Sequence, residues 1–112
     1  MPSFNPPKSV QSAAKRSLEM RRSLPKSRKG GTAVGVARAG QLAGGRSVSL
    51  DTIKRMVSFF ARHEVDKKAT GFRRGEKGYP SRGKVAWELW GGDAGRTWAN
   101  SIWKRERAKK EK

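Results

Sequence analysis

The middle of the chain carries the clearest pattern of apolar and polar positions. Apolar residues recur there at the i, i+3, i+4 and i+7 spacing of one helix face. The residues on this face are Ile53, Met56, Val57 and Phe60. Val48 and Ser49 precede the run as a hydrophobic-staple residue and an N-cap, and Asp51 suits the positive end of a helix dipole. The pattern predicts a central core helix that starts after Ser49, with Phe59 widening its apolar face.

Two helices are predicted before the central one. Ser9 is a candidate N-cap for a helix that reaches about residue 24, where Pro25 ends it. Thr32 is a candidate N-cap for an Ala- and Gly-rich helix over residues 33–42. Each Gly costs about 1 kcal/mol of helix propensity, so this helix requires close packing against another element. Its expected apolar anchors are Val34, Val36 and Leu42.

Two more helices are predicted in the C-terminal part. The first starts near Ser81 or Gly83 and runs through Trp90, and Asp93 caps the second. Apolar residues at helical spacing usually fill the interior, so we expect Trp90 and Trp98 to pack in the core. No alternation of strand type lasts long enough to predict a sheet.

The predicted fold is therefore all-α. We expect a compact bundle of four to five short helices, a long basic loop between the third and fourth, and flexible termini. Residues 1–8 contain three Pro and are predicted to be disordered. Residues 9–104 form the predicted helical domain, and residues 105–112 a charged tail or linker.

The charge of the chain indicates its class of partner. Lys and Arg number 27 against 9 Asp and Glu, which gives a formal net charge of +18. Self-repulsion at this level opposes folding, so we expect a polyanionic partner, with nucleic acid ahead of an anionic membrane surface. The chain has no Cys, no membrane-spanning apolar stretch and no signal-peptide pattern. These absences favour a cytoplasmic protein without disulfides.

Catalytic motifs are missing from the sequence. His63, with Glu64 and Asp66, forms the only His–acid cluster, and a single His without Cys builds neither a zinc site nor a convincing triad. We interpret it as a helix-terminal histidine whose acidic neighbours pair with Lys or Arg. The Walker pattern Gly-x4-Gly-Lys-Ser/Thr and the Lys-x-Asp-Gly of nucleotidyl transfer are absent. We expect no enzymatic activity, cofactor, metal or small-molecule substrate.

A basic loop over residues 67–84 is the strongest candidate for a binding surface. It contains seven cations and one acid, and Gly residues interrupt it. Phe72 and Tyr79 lie among the cations, and each could either contact bases or anchor the loop. Phosphate contacts by several of the cations would give an affinity that falls steeply with salt.

A second basic segment, residues 26–32, is predicted to share this surface. Gly31 and Thr32 precede a helix whose first N–H groups could face phosphate. No predicted helix combines Arg, Asn and Gln on one exposed face, so we expect recognition of DNA backbone and shape. The predicted DNA-contacting residues are Lys26, Arg28, Lys29, Gly31, Thr32, Arg38, Lys67, Lys68, Arg73, Arg74, Lys77, Tyr79, Arg82 and Lys84.

Three stretches resemble a small module encoded by tailed phages. They begin at Thr32 (Thr-Ala-Val-Gly-Val-Ala-Arg-Ala), at Ser58 (Ser-Phe-Phe-Ala-Arg-His-Glu-Val-Asp-Lys) and at Gly78 (Gly-Tyr-Pro-Ser-Arg-Gly-Lys-Val-Ala-Trp-Glu-Leu-Trp-Gly-Gly-Asp-Ala-Gly-Arg-Thr-Trp). The resemblance covers roughly residues 8–104, and Ser17 departs from it where the module has Gly. Such modules are joined to the N-terminus of phage proteins, among them ATP-dependent DNA ligases, and similar stretches accompany head-maturation proteins. The resemblance implies a DNA-binding domain.

The residues and the resemblance together favour a non-catalytic domain that binds double-stranded DNA, including nicked DNA. As the resemblance implies, it would be an accessory of a phage DNA ligase in the cytoplasm of the bacterial host. We expect a monomer, and fusion to a catalytic domain would explain a module without catalytic residues. The alternative is a protein-interaction or virion-assembly module of a phage structural or maturation protein, whose charge meets an acidic protein or packaged DNA.

Overall fold

Five α-helices make up most of residues 3–110, the part of the chain that the computed structural model describes. They are α1 (Lys8–Arg22), α2 (Ala33–Ala43), α3 (Leu50–His63), α4 (Arg82–Leu89) and α5 (Gly92–Lys110). Two short 3₁₀ turns, Lys26–Arg28 and Glu64–Lys68, lie between helices. A two-stranded antiparallel ribbon joins β1 (Ser3–Phe4) to β2 (Val48–Ser49). The predicted all-α class is confirmed, and the long basic loop lies between α3 and α4.

Three helices start where their N-cap residues predict. The side-chain oxygens of Thr32, Ser49 and Ser81 accept hydrogen bonds from the backbone N–H three residues further on, at 3.2, 3.2 and 3.0 Å. Each bond satisfies an N–H that the first turn of a helix leaves without a helical partner. The starts of α2, α3 and α4 are therefore set by local chemistry.

α1 starts slightly earlier in the chain than predicted. The helix begins at Lys8, and Pro7 is its N-cap residue, without a side-chain cap. The carbonyl of Pro7 accepts from the N–H groups of Val10 and Gln11, each at 3.0 Å. Proline is tolerated at a helix start because the N–H that it lacks would have no helical partner there. Ser9 therefore lies inside the first turn and is not the N-cap.

α5 extends further than the sequence predicts. It begins at Gly92, one residue before the predicted cap Asp93, and runs to Lys110. The described part of the predicted charged tail is therefore helical. Glu106 supports these last turns by an ion pair with Lys109 at 3.0 Å, at the i, i+3 spacing at which helix side chains meet. Residues 111 and 112 lie outside the described part.

The N-terminal segment pairs with the start of the central helix. Ser3 and Phe4 lie opposite Ser49 and Val48 in the β1–β2 ribbon. Phe4 also packs against the hydrophobic core. Ser3 and Phe4, which lie in the stretch predicted to be disordered, therefore form a short ribbon, and the apolar side chain of Phe4 lies on the core. Residues 1 and 2 lie outside the described part.

α3 supplies the central face of the core and packs mainly against α5. The buried side chains of this helix are Ile53, Met56, Phe59 and Phe60. Val57, predicted on the same face, is only half-buried. Phe59 takes the more buried position, so the apolar face of the helix is turned slightly from the predicted one.

α1 and α2 pack against each other, and most of their buried residues are small. The buried positions of α1 are Val10, Ala13, Ala14 and Ser17, and those of α2 are Gly35, Ala39 and Leu42. The Oγ of Ser17 donates to the carbonyl of Ala14 at 2.6 Å, so the buried hydroxyl is satisfied within its own helix. Val34 is 57% exposed, and its predicted role as an anchor is wrong. Val36 is half-buried, and Leu42 is the anchor that the prediction located correctly.

The four Trp residues are buried to different degrees. Trp87 and Trp90 are buried, whereas Trp98 and Trp103 are half-buried at the edge of the core. Core packing is confirmed for Trp90 and is only partial for Trp98. Trp87 meets Phe60 edge to face, with 4.8 Å between ring centroids, in a geometry that aromatic pairs prefer. This contact joins α4 to α3.

The loop between α3 and α4 is anchored to the core. Phe72 is 6% exposed and meets Trp87 edge to face at 6.2 Å. The N–H of Ser81 donates to the carbonyl of Gly71 at 2.8 Å, which closes the loop just before α4. Gly71 has a φ of +95°, a conformation that side chains disfavour. Of its two expected roles, Phe72 therefore takes that of an anchor, and Tyr79 is half-buried.

Candidate nucleic-acid interface

Two basic segments that are distant in sequence lie against each other. They are residues 26–32, before α2, and residues 67–84, which form the basic loop and the start of α4. Arg28 Nη2 donates to the carbonyl of Gly78 at 2.8 Å, and Arg82 Nη2 donates to the carbonyl of Ser27. We call the surface formed by the two segments the basic surface. It brings together the two stretches from which the sequence predicts DNA contacts.

The two segments approach each other closely at Gly30. A Cβ at this position would overlap the carbonyl oxygen of Arg82, so a larger residue fits only if the backbone shifts. Arg21 Nε of α1 donates to the carbonyl of Gly30 at 2.9 Å and holds the first segment from its other side. The basic surface therefore depends on direct contact between two backbones.

The tip of the basic loop presents cations that the fold does not use. The side chains of Arg73, Arg74 and Lys77 are exposed and make no hydrogen bond or ion pair within residues 3–110. The nearby carboxylate of Glu76 accepts from the backbone N–H of Arg73 at 2.8 Å, so it stabilises the turn. Further predicted contact residues whose side chains lack such partners in the described part are Lys26, Lys29 and Lys68.

Two predicted contact residues instead hold the ends of the loop. Lys67 Nζ lies 2.8 Å from Asp93 Oδ1 and 4.9 Å from the centroid of the Trp87 ring. Lys84 Nζ lies 2.7 Å from Glu88 Oε1, and its side chain is only 19% exposed. In these ion pairs and in the cation–π contact, groups of the domain itself interact with the positive charges of Lys67 and Lys84. The structure therefore places Lys67 and Lys84 in the anchor of the loop, and their predicted contact with DNA stays a prediction.

Arg38 is likewise held against the core. Its guanidinium carbon lies 5.5 Å from the ring centroid of Trp90, and Nη1 donates to Gln41 Oε1 at 2.7 Å. Burial lowers the pKa of Arg38, the charge of Arg55 lowers it further, and Asp51 acts in the opposite direction. Arg38 therefore has partners inside the domain, and its predicted contact with DNA stays a prediction.

An open groove of ≈ 760 Å³ lies beside the basic surface. It is bounded by α3 and by the starts of α2 and α4, and we call it the α3 groove. Gly31, Thr32 and Arg82 line it and also belong to the basic surface. Ala86 and Trp90 give it an apolar floor. The groove and the basic surface are therefore continuous.

A stack of three rings forms one side of the α3 groove. The Phe59 ring lies between those of His63 and Trp90, with ring centroids 4.4 and 4.7 Å away and interplanar angles of 27° and 12°. His63 Nδ1 lies 3.0 Å from Asp66 Oδ2. Its side chain is 40% exposed although one ring face lies on Phe59. The stack therefore ends in a ring that faces solvent.

His63 is the last residue of α3, as predicted. Of its acidic neighbours, Glu64 pairs with Arg96 at 3.0 Å, as expected for a pairing with Lys or Arg. Asp66 differs, because its partner is His63 itself.

The α3 groove is a feature that the sequence analysis misses. Phe59 and His63 are four residues apart in one helix, a spacing at which side chains meet. This spacing is the one local feature of the sequence that indicates their contact. Trp90 joins them from the residue that follows α4, and no local pattern shows which helix faces α3.

Within residues 3–110, no group of three or more His, Cys, Asp or Glu could hold a metal ion. Nor does any helix in that range combine the length and the apolar character needed to cross a membrane. Comparison of the chain with protein-family models, with curated proteins and with solved structures finds no match.

Proposed function

We propose that this protein is a non-catalytic DNA-binding domain that holds duplex DNA through contacts between its cations and the phosphates. The observation that carries this proposal is the basic surface. Arg28 and Arg82 join its two segments through backbone carbonyls, and the cations of the loop tip remain free for an external partner. Each joining guanidinium has five N–H donors and keeps several for phosphate.

Contact with phosphates suits this surface better than reading of bases. Most of its cations lie on a loop and on 3₁₀ turns, and only Arg82 and Lys84 lie on a helix, in the first turn of α4. Base readout in the major groove uses an exposed helix or a β-ribbon. Phosphates recur along any duplex whatever its sequence, so flexible Lys and Arg side chains can meet them without sequence information. We therefore propose binding without strong sequence specificity.

We further propose, on the resemblance to the phage modules, that the domain serves a phage DNA ligase in the host cytoplasm. Holding DNA beside a catalytic partner raises the local concentration of substrate without new catalytic residues. The gene that encodes the chain tests this proposal. A Lys-x-Asp-Gly motif encoded after Lys112 in the same reading frame would support it, and a head-maturation or structural protein there would reject it.

A mobility-shift titration tests DNA binding directly. The protein is titrated against nicked and intact duplexes at about 50 and about 200 mM salt. We expect binding to both duplexes at low salt and a steep loss at high salt, because bound cations release condensed counterions. No binding at low salt would reject the proposal and favour a protein-interaction or virion-assembly function.

Removal of the free cations at the loop tip tests the basic surface itself. We expect simultaneous replacement of Arg73, Arg74 and Lys77 by Ala to weaken DNA binding. The slope of log K against log salt should become shallower by up to about 3, because each lost phosphate contact removes about 0.9 from it. Thermal unfolding should be nearly unchanged, since these side chains have no partners in the described part.

A variant with the same loss of charge provides the control. Lys15, Arg16 and Arg22 are exposed on α1, and their replacement by Ala also removes three cations. We expect this variant to bind DNA more tightly than the loop variant does. Equal affinities would show that the total charge of the protein, and not the basic surface, determines binding. Weaker binding by the α1 variant would move the interface to α1.

A further inference from the structure

The rim of the α3 groove carries an excess of positive charge. Its cations are Lys54, Arg55, Arg62 and Arg82, and its two carboxylates are Asp51 and Asp66. Both carboxylates are engaged, Asp51 with Arg55 at 3.1 Å and Asp66 with His63 at 3.0 Å. Arg62 is exposed and has no hydrogen bond or ion pair within the described part of the chain. The rim therefore attracts an anionic group.

The ring stack beside this rim offers one open face. Both faces of Phe59 are covered, by His63 and by Trp90, and the guanidinium of Arg38 lies over the Trp90 ring. His63 ends the stack with a side chain that is 40% exposed. A planar ligand stacked on His63 would continue the stack into the groove. Nucleobases are suited to this position because every base has a π-face.

We infer that the α3 groove binds an unpaired nucleotide of the DNA, with its base against His63 and its phosphate at Arg62 and Arg82. This inference rests on the proposed function, since the basic surface would hold the adjoining duplex. Arg82 belongs to both sites, so a strand that leaves the duplex at the basic surface reaches the groove directly. The volume of ≈ 760 Å³ lies within the usual range of ligand sites, about 300–1,000 Å³.

An apolar segment of a partner protein is the competing occupant. Val34 at the edge of the groove is 57% exposed, and Ala86 and Trp90 add apolar surface. Such a segment would cover Arg62 without neutralising it, and burial of an unpaired charge is costly. The phosphate of a nucleotide neutralises this charge, which is why the rim favours the nucleotide.

Two DNA substrates and two matched variants test the inference. The substrates are a blunt duplex and the same duplex with a short single-stranded flap. Ser58 lines the groove and is exposed, so Ser58→Glu places a negative charge inside it. Ser101 is exposed on α5 and does not line the groove, so Ser101→Glu makes the same change of charge elsewhere.

We expect the wild-type protein to bind the flapped duplex at least about fivefold more tightly than the blunt duplex, the factor that corresponds to a single base stacked on an aromatic ring. Ser58→Glu should abolish this preference, and Ser101→Glu should keep it. Equal affinity of the wild-type protein for the two substrates would overturn the inference and favour a protein segment as occupant. Failure to bind either substrate would instead reject the proposed DNA binding itself.

The ring of His63 gives a second readout that needs no variant. It is the only histidine of the chain, so its ring signals in an NMR spectrum are assigned without ambiguity. We expect titration with a short single-stranded oligodeoxyadenylate to shift the His63 Hε1 signal upfield to saturation, because a stacked base shields it. A His63 signal that stays fixed while other signals move would show binding outside the groove and overturn the inference.

Discussion

Asp93 organises the junction between the basic loop and α5. Its Oδ1 accepts hydrogen bonds from Lys67 Nζ at 2.8 Å and from the indole Nε1 of Trp87 at 2.9 Å. Burial by itself would raise the pKa of Asp93, but these two hydrogen bonds and the charges of Lys67 and Lys84 together hold the pKa below its ordinary value. One carboxylate thus joins a loop cation to the most buried Trp of the core.

Replacement of Asp93 by Ala should lower the free energy of unfolding by about 1 kcal/mol, because the indole N–H of Trp87 loses its acceptor. This decrease lies at the lower end of the range of about 1–3 kcal/mol for an unsatisfied buried donor. The reason is that the Asp93 side chain is 73% exposed, so water can replace it as the acceptor. Thermal denaturation followed by circular dichroism measures the effect, and each 1 kcal/mol corresponds to a fall in Tm of roughly 4–8 °C.

Glu64 provides a control for this prediction. It also forms an ion pair, with Arg96, but accepts no hydrogen bond from a buried group. Exposed pairs of this kind contribute about 0–1 kcal/mol, so Glu64→Ala should cost less than Asp93→Ala. If the two variants had the same Tm, the hydrogen bond to Trp87 would have no measurable role in stability.

At the scale of the elements, the basic surface depends on the contact between the segment before α2 and the start of α4. Gly30 makes this contact possible because its missing Cβ leaves room for the Arg82 carbonyl. The hydrogen bonds from Arg28 and from Arg82 then cross the same junction in opposite directions. The segment before α2 and the start of α4 therefore act as one surface.

We expect Gly30→Ala to destabilise the protein by roughly 1–3 kcal/mol, the usual cost of overpacking. The added methyl group would push the Arg82 backbone away, so DNA affinity should also fall even though the charge is unchanged. Chemical denaturation and the mobility-shift titration measure the two effects.

Gly40→Ala is the matched control. Gly40 lies inside α2, and a Cβ there would meet nothing within 4 Å in the described part of the chain apart from the neighbouring backbone of its own helix. Replacement of Gly by Ala inside a helix typically stabilises it by about 0.5–1 kcal/mol, so this variant should unfold at a higher denaturant concentration and bind DNA normally. Similar losses of stability in both variants would mean that the junction at Gly30 is not tightly packed.

At the scale of the whole molecule, acidic residues form ion pairs inside the domain, and a large excess of positive charge remains. Asp51, Glu64, Glu88 and Asp93 each lie in an ion pair with Lys or Arg. These pairs neutralise only a few of the 27 Lys and Arg residues, and the net charge of +18 opposes folding. A polyanionic partner would remove this repulsion as it binds.

We therefore expect the Tm of the free protein to rise when NaCl increases from about 50 mM to about 500 mM, because salt screens the repulsion. Addition of a short duplex at low salt should also raise the Tm, since a ligand that binds the folded state stabilises it. The stabilisation by DNA should fade as salt increases, opposite to the trend of the free protein. A Tm of the free protein that falls with salt would show that attractive pairs outweigh the repulsion.

The sequence by itself determined the helical class, three of the helix starts and the character of the partner that we propose. Caps such as Thr32, Ser49 and Ser81 act on N–H groups three residues away, so a short stretch of sequence contains both members of each hydrogen bond. The periodic apolar residues of α3 are equally local. Net charge needs no structure at all.

Only the tertiary structure decided which cations are free and where the aromatic rings lie. Lys67 and Arg73 look alike in the basic loop, yet the Lys67 side chain meets Asp93, 26 residues away, whereas the Arg73 side chain has no hydrogen bond or ion pair in the described part. The ring stack likewise combines α3 with Trp90, the C-cap residue of α4. The physical reason is the same in both cases. The partner of such a side chain is set by contacts between distant segments, and the periodicity of one segment contains no record of them.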